Sequence, residues 1–149
     1  MTNMKNISRI FLAGVCVLVC TILVGGCRKA PINGKLDGQW QIMKIELTDD
    51  GTVTTPEWRA YIDINLHVVN LTTVTTAEVQ GDRVCGNLIY DKSASTMTLD
   101  FPYNTEGSKL ERLKVWGIYS NPVTFDIVKV NGKELVIRSA RSIVTCRRY

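Results

Sequence analysis

Histidine occurs once in these 149 residues, at His67, and that scarcity removes most nucleophile–base chemistry before any motif is sought. Zinc sites need several His or Cys ligands at short spacing, whereas His67, Cys85 and Cys146 are scattered. The chain lacks a Gly-rich phosphate loop, an internal repeat and a low-complexity tract. Also missing is an apolar run of about 20 residues, the length a membrane-spanning helix wants. These absences leave no constellation that identifies a reaction, so the expectation is a non-enzymatic protein with no metal and no cofactor.

Charge is nearly balanced. The first 26 residues hold Lys5 and Arg9 and no acid, so the remaining 123 carry 16 basic against 14 acidic side chains, or +2. Basic and acidic residues alternate along most of that length, which gives no reason to expect nucleic acid. Arg138, Arg141, Arg147 and Arg148 fall close together at the end and read either as an anion-binding patch or, more readily, as a solubilising edge strand. A chain of 123 residues fits one domain with a single core.

What is present begins with a leader. Ile10 to Val24 is an uncharged apolar run of fifteen residues behind a short basic segment, and Gly25-Gly26 follow it. That layout predicts a signal peptide over 1–26. The stretch Val24-Gly25-Gly26-Cys27 resembles the bacterial lipoprotein lipobox, with Val24 where leucine is commonest. The resemblance implies that Cys27 is lipidated and that acyl chains such as palmitate hold the mature protein at a membrane. Arg28 to Lys35 then reads as a Pro- and Gly-punctuated tether, making 27–35 a linker and 36–149 the folded domain. No acidic run follows Cys27 of the kind that resembles a surface-export signal, which points to the periplasmic face of the outer membrane. Cys16 and Cys20 leave with the leader and Cys27 is consumed, so Cys85 and Cys146 are the remaining thiols. In an oxidising envelope they either pair, closing a loop worth about 4 kcal/mol, or remain two separate cysteines.

Period-two alternation dominates the rest. Met43, Ile45 and Leu47 alternate with Lys44 and Glu46, and Thr48 to Thr52 carries the Asp and Gly of a turn. Tyr61 to Val68 reads as one strand, with Ile62, Ile64, Leu66 and Val68 on one face and His67 on the other. Further strands are predicted over 72–79, 84–90, 96–101, 123–130, 134–139 and 142–149, with Asn131-Gly132 as a type I′ hairpin turn. Ser108 to Trp116 breaks the pattern. Leu110, Leu113 and Trp116 recur there at three-residue spacing, and Ser108 with Glu111 matches a capping box, so a short helix is expected. About eight strands and one brief helix make an all-β domain, closed as an up-and-down barrel or folded as a β-sandwich.

Gly38-Gln39-Trp40, at the start of the first strand, resembles the Gly-x-Trp opening of lipocalins, in which the tryptophan lies across the closed end of the barrel. The order of lipobox, tether, opening motif, alternating strands and basic terminal strand is similar to that of lipocalin-like lipoproteins of diderm bacteria. The brief helix lies between strands rather than after the barrel. Gly38 and Trp40 are thereby structural. By parity the inward residues are Ile62, Ile64, Leu66, Leu88, Tyr90, Met97, Leu99, Phe101, Phe125, Ile127, Leu135 and Ile137, which either fill a lumen or line one small-ligand cavity. Candidate ligand contacts are Trp58, Ile64, Leu66, Tyr90, Leu99, Phe101, Trp116 and Phe125, for a small apolar or amphipathic ligand. The other reading is a filled barrel that docks an envelope protein.

Overall fold

The computed structural model describes residues 31–57, 59–74, 81–103 and 107–149. Cys27, the leader and Trp58 lie outside the described residues, as does most of the predicted 72–79 strand. The strands are β1 (Gly38–Leu47), β2 (Val53–Thr54), β3 (Ala60–Asn65), β4 (Val68–Thr73), β5 (Arg83–Asp91) and β6 (Thr96–Asp100). Helix α1 (Gly107–Leu113) then runs into a 3-10 turn (Lys114–Trp116), and β7 (Val123–Val130), β8 (Glu134–Arg138) and β9 (Ser142–Arg148) complete the chain. Every neighbouring pair from β3 to β9 is antiparallel, and β9 returns to pair with β1 along Trp40 to Leu47. The result is a closed barrel of eight strands, not a sandwich. Closure removes the exposed sheet edge that either architecture has to hide. The two-residue β2 is the exception, occupying the part of the β1 edge that β3 leaves free.

Alternation within the strands explains the wall. On β5, Val84, Gly86, Leu88 and Tyr90 point inward while Arg83, Cys85, Asn87 and Ile89 face out. Gly86 has to be small, because a Cβ there would come 2.5 Å from the Phe101 ring, which fills its place in the interior. Trp40, Ile62, Ile64, Leu71, Leu88, Met97, Leu99, Phe101, Phe125, Leu135 and Ile137 are each at most 2 % exposed and share one continuous cluster. They form a packed interior among the described residues. Tyr90 and Ile127 are half-buried at its margin.

Three expectations are corrected. First, Tyr61 to Val68 is not one strand: β3 ends at Asn65, Leu66 and His67 make a two-residue turn, and Val68 opens β4 in register opposite Asn65. Leu66 takes a positive φ of 57° and is 48 % exposed, so it is not an inward residue. Leucine carries no local preference for that conformation. A distant contact supports the turn, since the Asn33 side-chain amide donates to the Leu66 carbonyl at 2.6 Å. Second, β1 changes register between Ile42 and Lys44, so the bulge turns Met43 outward and leaves Ile42 and Ile45 inside. Third, the Asn131-Gly132 hairpin exists, but neither residue has positive φ, so the turn is not type I′. The connection is held instead by the Asn131 side chain, whose oxygen accepts the backbone N–H groups of Lys133 and Glu134.

The two thiols do not pair. Cys85 faces outward on β5 and Cys146 inward on β9, on opposite sides of the barrel wall, and both are free. Burial pushes the Cys146 thiol up to about 12, which suppresses the reactive thiolate. We therefore expect a thiol-alkylating reagent at pH 8 to modify Cys85 in the native protein and to reach Cys146 only after unfolding. Peptide mass spectrometry reads the order directly, and comparable native labelling of both would contradict the burial.

Strand directions divide the loops between two ends. At the helix end, Leu113, Trp116 and Ile118 are buried and close the interior. The Trp116 ring N–H donates to the Thr72 carbonyl, while the Ser142 hydroxyl donates to the carbonyl of Gly117. Gly117 sits at φ +74°, a conformation that favours glycine, and a Cβ there would meet Val144 at 2.5 Å. Ser108 falls within the first turn of α1 rather than ahead of it. Arg112 grips Asp82 with two hydrogen bonds, one from Nε at 2.8 Å, and this donation holds the Asp82 carboxyl below its usual range. A lowered native pKa means that the pair's contribution is complete above the unfolded value near 4 and is lost as pH falls through the lowered one. Acid titration of Asp82→Asn should accordingly lose part of the fall in stability seen in the wild type below pH 4. An unchanged acid profile would show that the pair contributes nothing measurable.

Candidate binding site at the closed end of the barrel

The other end gathers the segment before β1, the β3–β4, β5–β6 and β7–β8 turns and the last residues of β9. Its centre is Trp40. A 3-10 turn over Gly34–Leu36 folds Leu36 under the barrel, where it is buried, and the indole N–H of Trp40 donates to the Leu36 carbonyl at 2.8 Å. Arg148, near the end of β9, lays its guanidinium over the Trp40 ring, 4.8 Å from the centroid, and donates to the Lys35 carbonyl at 3.0 Å. A cation over an indole face is attractive through the ring quadrupole. Gly38 makes room for that arrangement: its φ is +128°, and a Cβ would lie 2.5 Å from the Arg148 guanidinium. The Gly-x-Trp opening is thus a steric and electrostatic requirement of this end.

Residues 31–35, read from the sequence as tether, are folded onto the barrel. Asn33 is buried, its backbone N–H and side-chain amide both donate to the Asp37 carboxylate, and the same amide reaches Leu66. The folded unit accordingly begins at Pro31. Between this segment and the strand ends lies a groove of about 410 Å³, lined by Ile32, Lys35 and Leu36 on one side and by Tyr90, Lys92 and Val130 on the other. It combines apolar surface with two lysines. Such a volume is in the range of small-molecule sites, and the mixture suits an amphipathic ligand better than a wholly apolar one.

The candidate ligand contacts therefore separate. Ile64, Leu99, Phe101 and Phe125 are packed core, and Trp116 is a plug over the helix end. Leu66 is exposed in a turn, Trp58 lies outside the described residues, and Tyr90 alone of the eight lines the groove. Ile32, Lys35, Lys92 and Val130 were not singled out from the sequence, because a rim built from three separate segments has no local pattern. Among the described residues no group of three or more His, Cys, Asp or Glu side chains could hold a metal ion.

Comparison with solved structures gives the same architecture. A lipocalin-like protein from Bacteroides uniformis ATCC 8492 superposes with a TM-score of 0.64 at 14% identity, covering 78% of this chain and 100% of that one. An uncharacterized protein from Bacteroides eggerthii DSM 20697 gives 0.60 at 11% identity, over 76% and 98%. At such identities the likeness concerns the fold alone. No curated protein sequence matches the chain. The family model described as a lipocalin-like domain matches residues 21–149, most of the sequence, and the chain belongs to that family.

Proposed function

We propose that this is a lipid-anchored, non-enzymatic protein of the cell envelope, processed before Cys27 and held by acyl chains at the periplasmic face of the outer membrane. Its barrel serves as a rigid frame, and recognition takes place on its surface. The observation that carries this reading is the packing of the interior: the side chains that would line a calyx touch one another. The groove at the closed end, with Lys35 and Lys92 beside Ile32, Tyr90 and Val130, is the site assigned to a small amphipathic ligand. Native mass spectrometry of protein purified from its own envelope tests the assignment. A bound small molecule that is lost in Tyr90→Ala supports it, and repeated absence of any adduct would sink it.

The packed interior also favours a second reading, a structural accessory whose outer face docks an envelope protein. Crosslinking in cells separates the two, since one dominant protein adduct with no small molecule would belong to the accessory.

A further inference from the structure

We infer that the closed end of the barrel is a membrane-docking surface, and that its groove takes the headgroup of an acidic phospholipid. The inference rests on the anchoring proposed above and extends it from attachment to orientation.

Two independent observations carry it. The first is chain length. Because the folded unit begins at Pro31 rather than Leu36, only residues 28–30 separate Cys27 from it. Four residue steps span at most about 14 Å when fully extended. Acyl chains on Cys27 would therefore hold Pro31, and the rim it belongs to, within a headgroup layer's thickness of the membrane. A tether of that length does not let the domain turn its helix end to the lipid.

The second is charge. Lys35, Lys92, Lys129, Lys133, Arg147 and Arg148 lie at the closed end, all exposed, against Asp37, Asp63, Asp91 and Glu134. Glu134 is paired with Lys129, while Asp37 and Asp91 keep their charge in hydrogen bonds from Asn33 and from Ser93 and Ala94, so the rim holds a net excess of two cations. The described part of the helix end has no such excess. There Arg59, Arg83, Arg112, Lys114, Arg138 and Arg141 face Asp49, Asp50, Glu57, Asp82, Asp100 and Glu111. The basic end is thus the one the short linker leads into. Exposed Ile32 adds an apolar contact at the groove, while Lys35 and Lys92 supply the cations that a phosphate needs.

Each basic side chain near an anionic surface contributes roughly a fivefold gain in partitioning, so neutralising two should cost about 25-fold. The test uses the acylated protein in phosphatidylcholine vesicles with and without phosphatidylglycerol, compared with an acylated Lys35→Gln/Lys92→Gln variant. Hydrogen exchange reads amides near Lys35 and Lys92 at the closed end and near Asp50 at the helix end. Protection confined to the closed end, present with phosphatidylglycerol and lost in the variant, is the expected result. Equal exchange at both ends, in protein whose intact mass includes the acyl chains, would overturn the docking while leaving the anchoring intact. Protection that instead grows with protein density in neutral vesicles would assign the face to a second copy and also overturn it. Intact mass without acyl chains would remove the anchoring, and the docking with it.

Discussion

Trp40→Ala is expected to lower the unfolding free energy by about 3–5 kcal/mol, the range for truncating a large aromatic in a packed interior. Three losses coincide at this position. Trp40 is wholly buried, so its removal leaves a cavity where the closed end meets the interior. Its N–H is the partner of the Leu36 carbonyl, and deletion leaves that buried acceptor unsatisfied. Arg148 loses the ring it covers and with it the geometry of its bond to Lys35. Trp40→Phe should fall between the wild type and the alanine variant, keeping a ring for Arg148 but not the hydrogen bond. Urea denaturation measures the difference as a shift in midpoint at unchanged slope. A loss under 1 kcal/mol in the alanine variant would mean that the closed end is not held by Trp40.

The other large effect concerns the anchor. Cys27→Ala removes the thiol to which the proposed acyl chains attach, so intact mass should show complete loss of acyl mass. At about 0.8 kcal/mol per buried methylene, two or more chains supply far more membrane affinity than any side chain of the domain. Acyl mass persisting in Cys27→Ala would place the modification elsewhere or refute it.

How much of this was legible in the sequence depends on the range of the interactions involved. Strands such as β5, β6 and β9 follow from alternation because inward and outward neighbours differ in polarity at most steps, Ile89 and Ile143 being outward exceptions. The three-residue spacing of Leu110, Leu113 and Trp116 marked the helical segment, and Gly38 with Trp40 marked the closed end. The β3–β4 turn escaped because Leu66 and His67 carry no turn signal. Asn33, more than thirty residues away, supports it instead. The bulge at Met43 escaped although the letters mark it, because the adjacent apolar pair Ile42-Met43 breaks the alternation that runs through Trp40 and Ile42 and resumes at Ile45.

The candidate site was the least legible part. Strand parity placed Ile64, Leu99, Phe101 and Phe125 inside, where they join the buried cluster and do not reach the groove. The groove depends on how residues 31–36 fold back beneath the barrel, which no periodicity encodes. Tyr90 reached both descriptions because it ends an inward row at the rim.

The central claim is a solid barrel that binds at its closed end. Backbone amide NMR during titration with a small amphipathic anion, 1-anilinonaphthalene-8-sulfonate, tests it most directly. Shifts confined to Ile32, Lys35, Tyr90, Lys92 and Val130 are the predicted result. Shifts centred on Leu71, Leu99 and Leu135, inside the barrel, would contradict it.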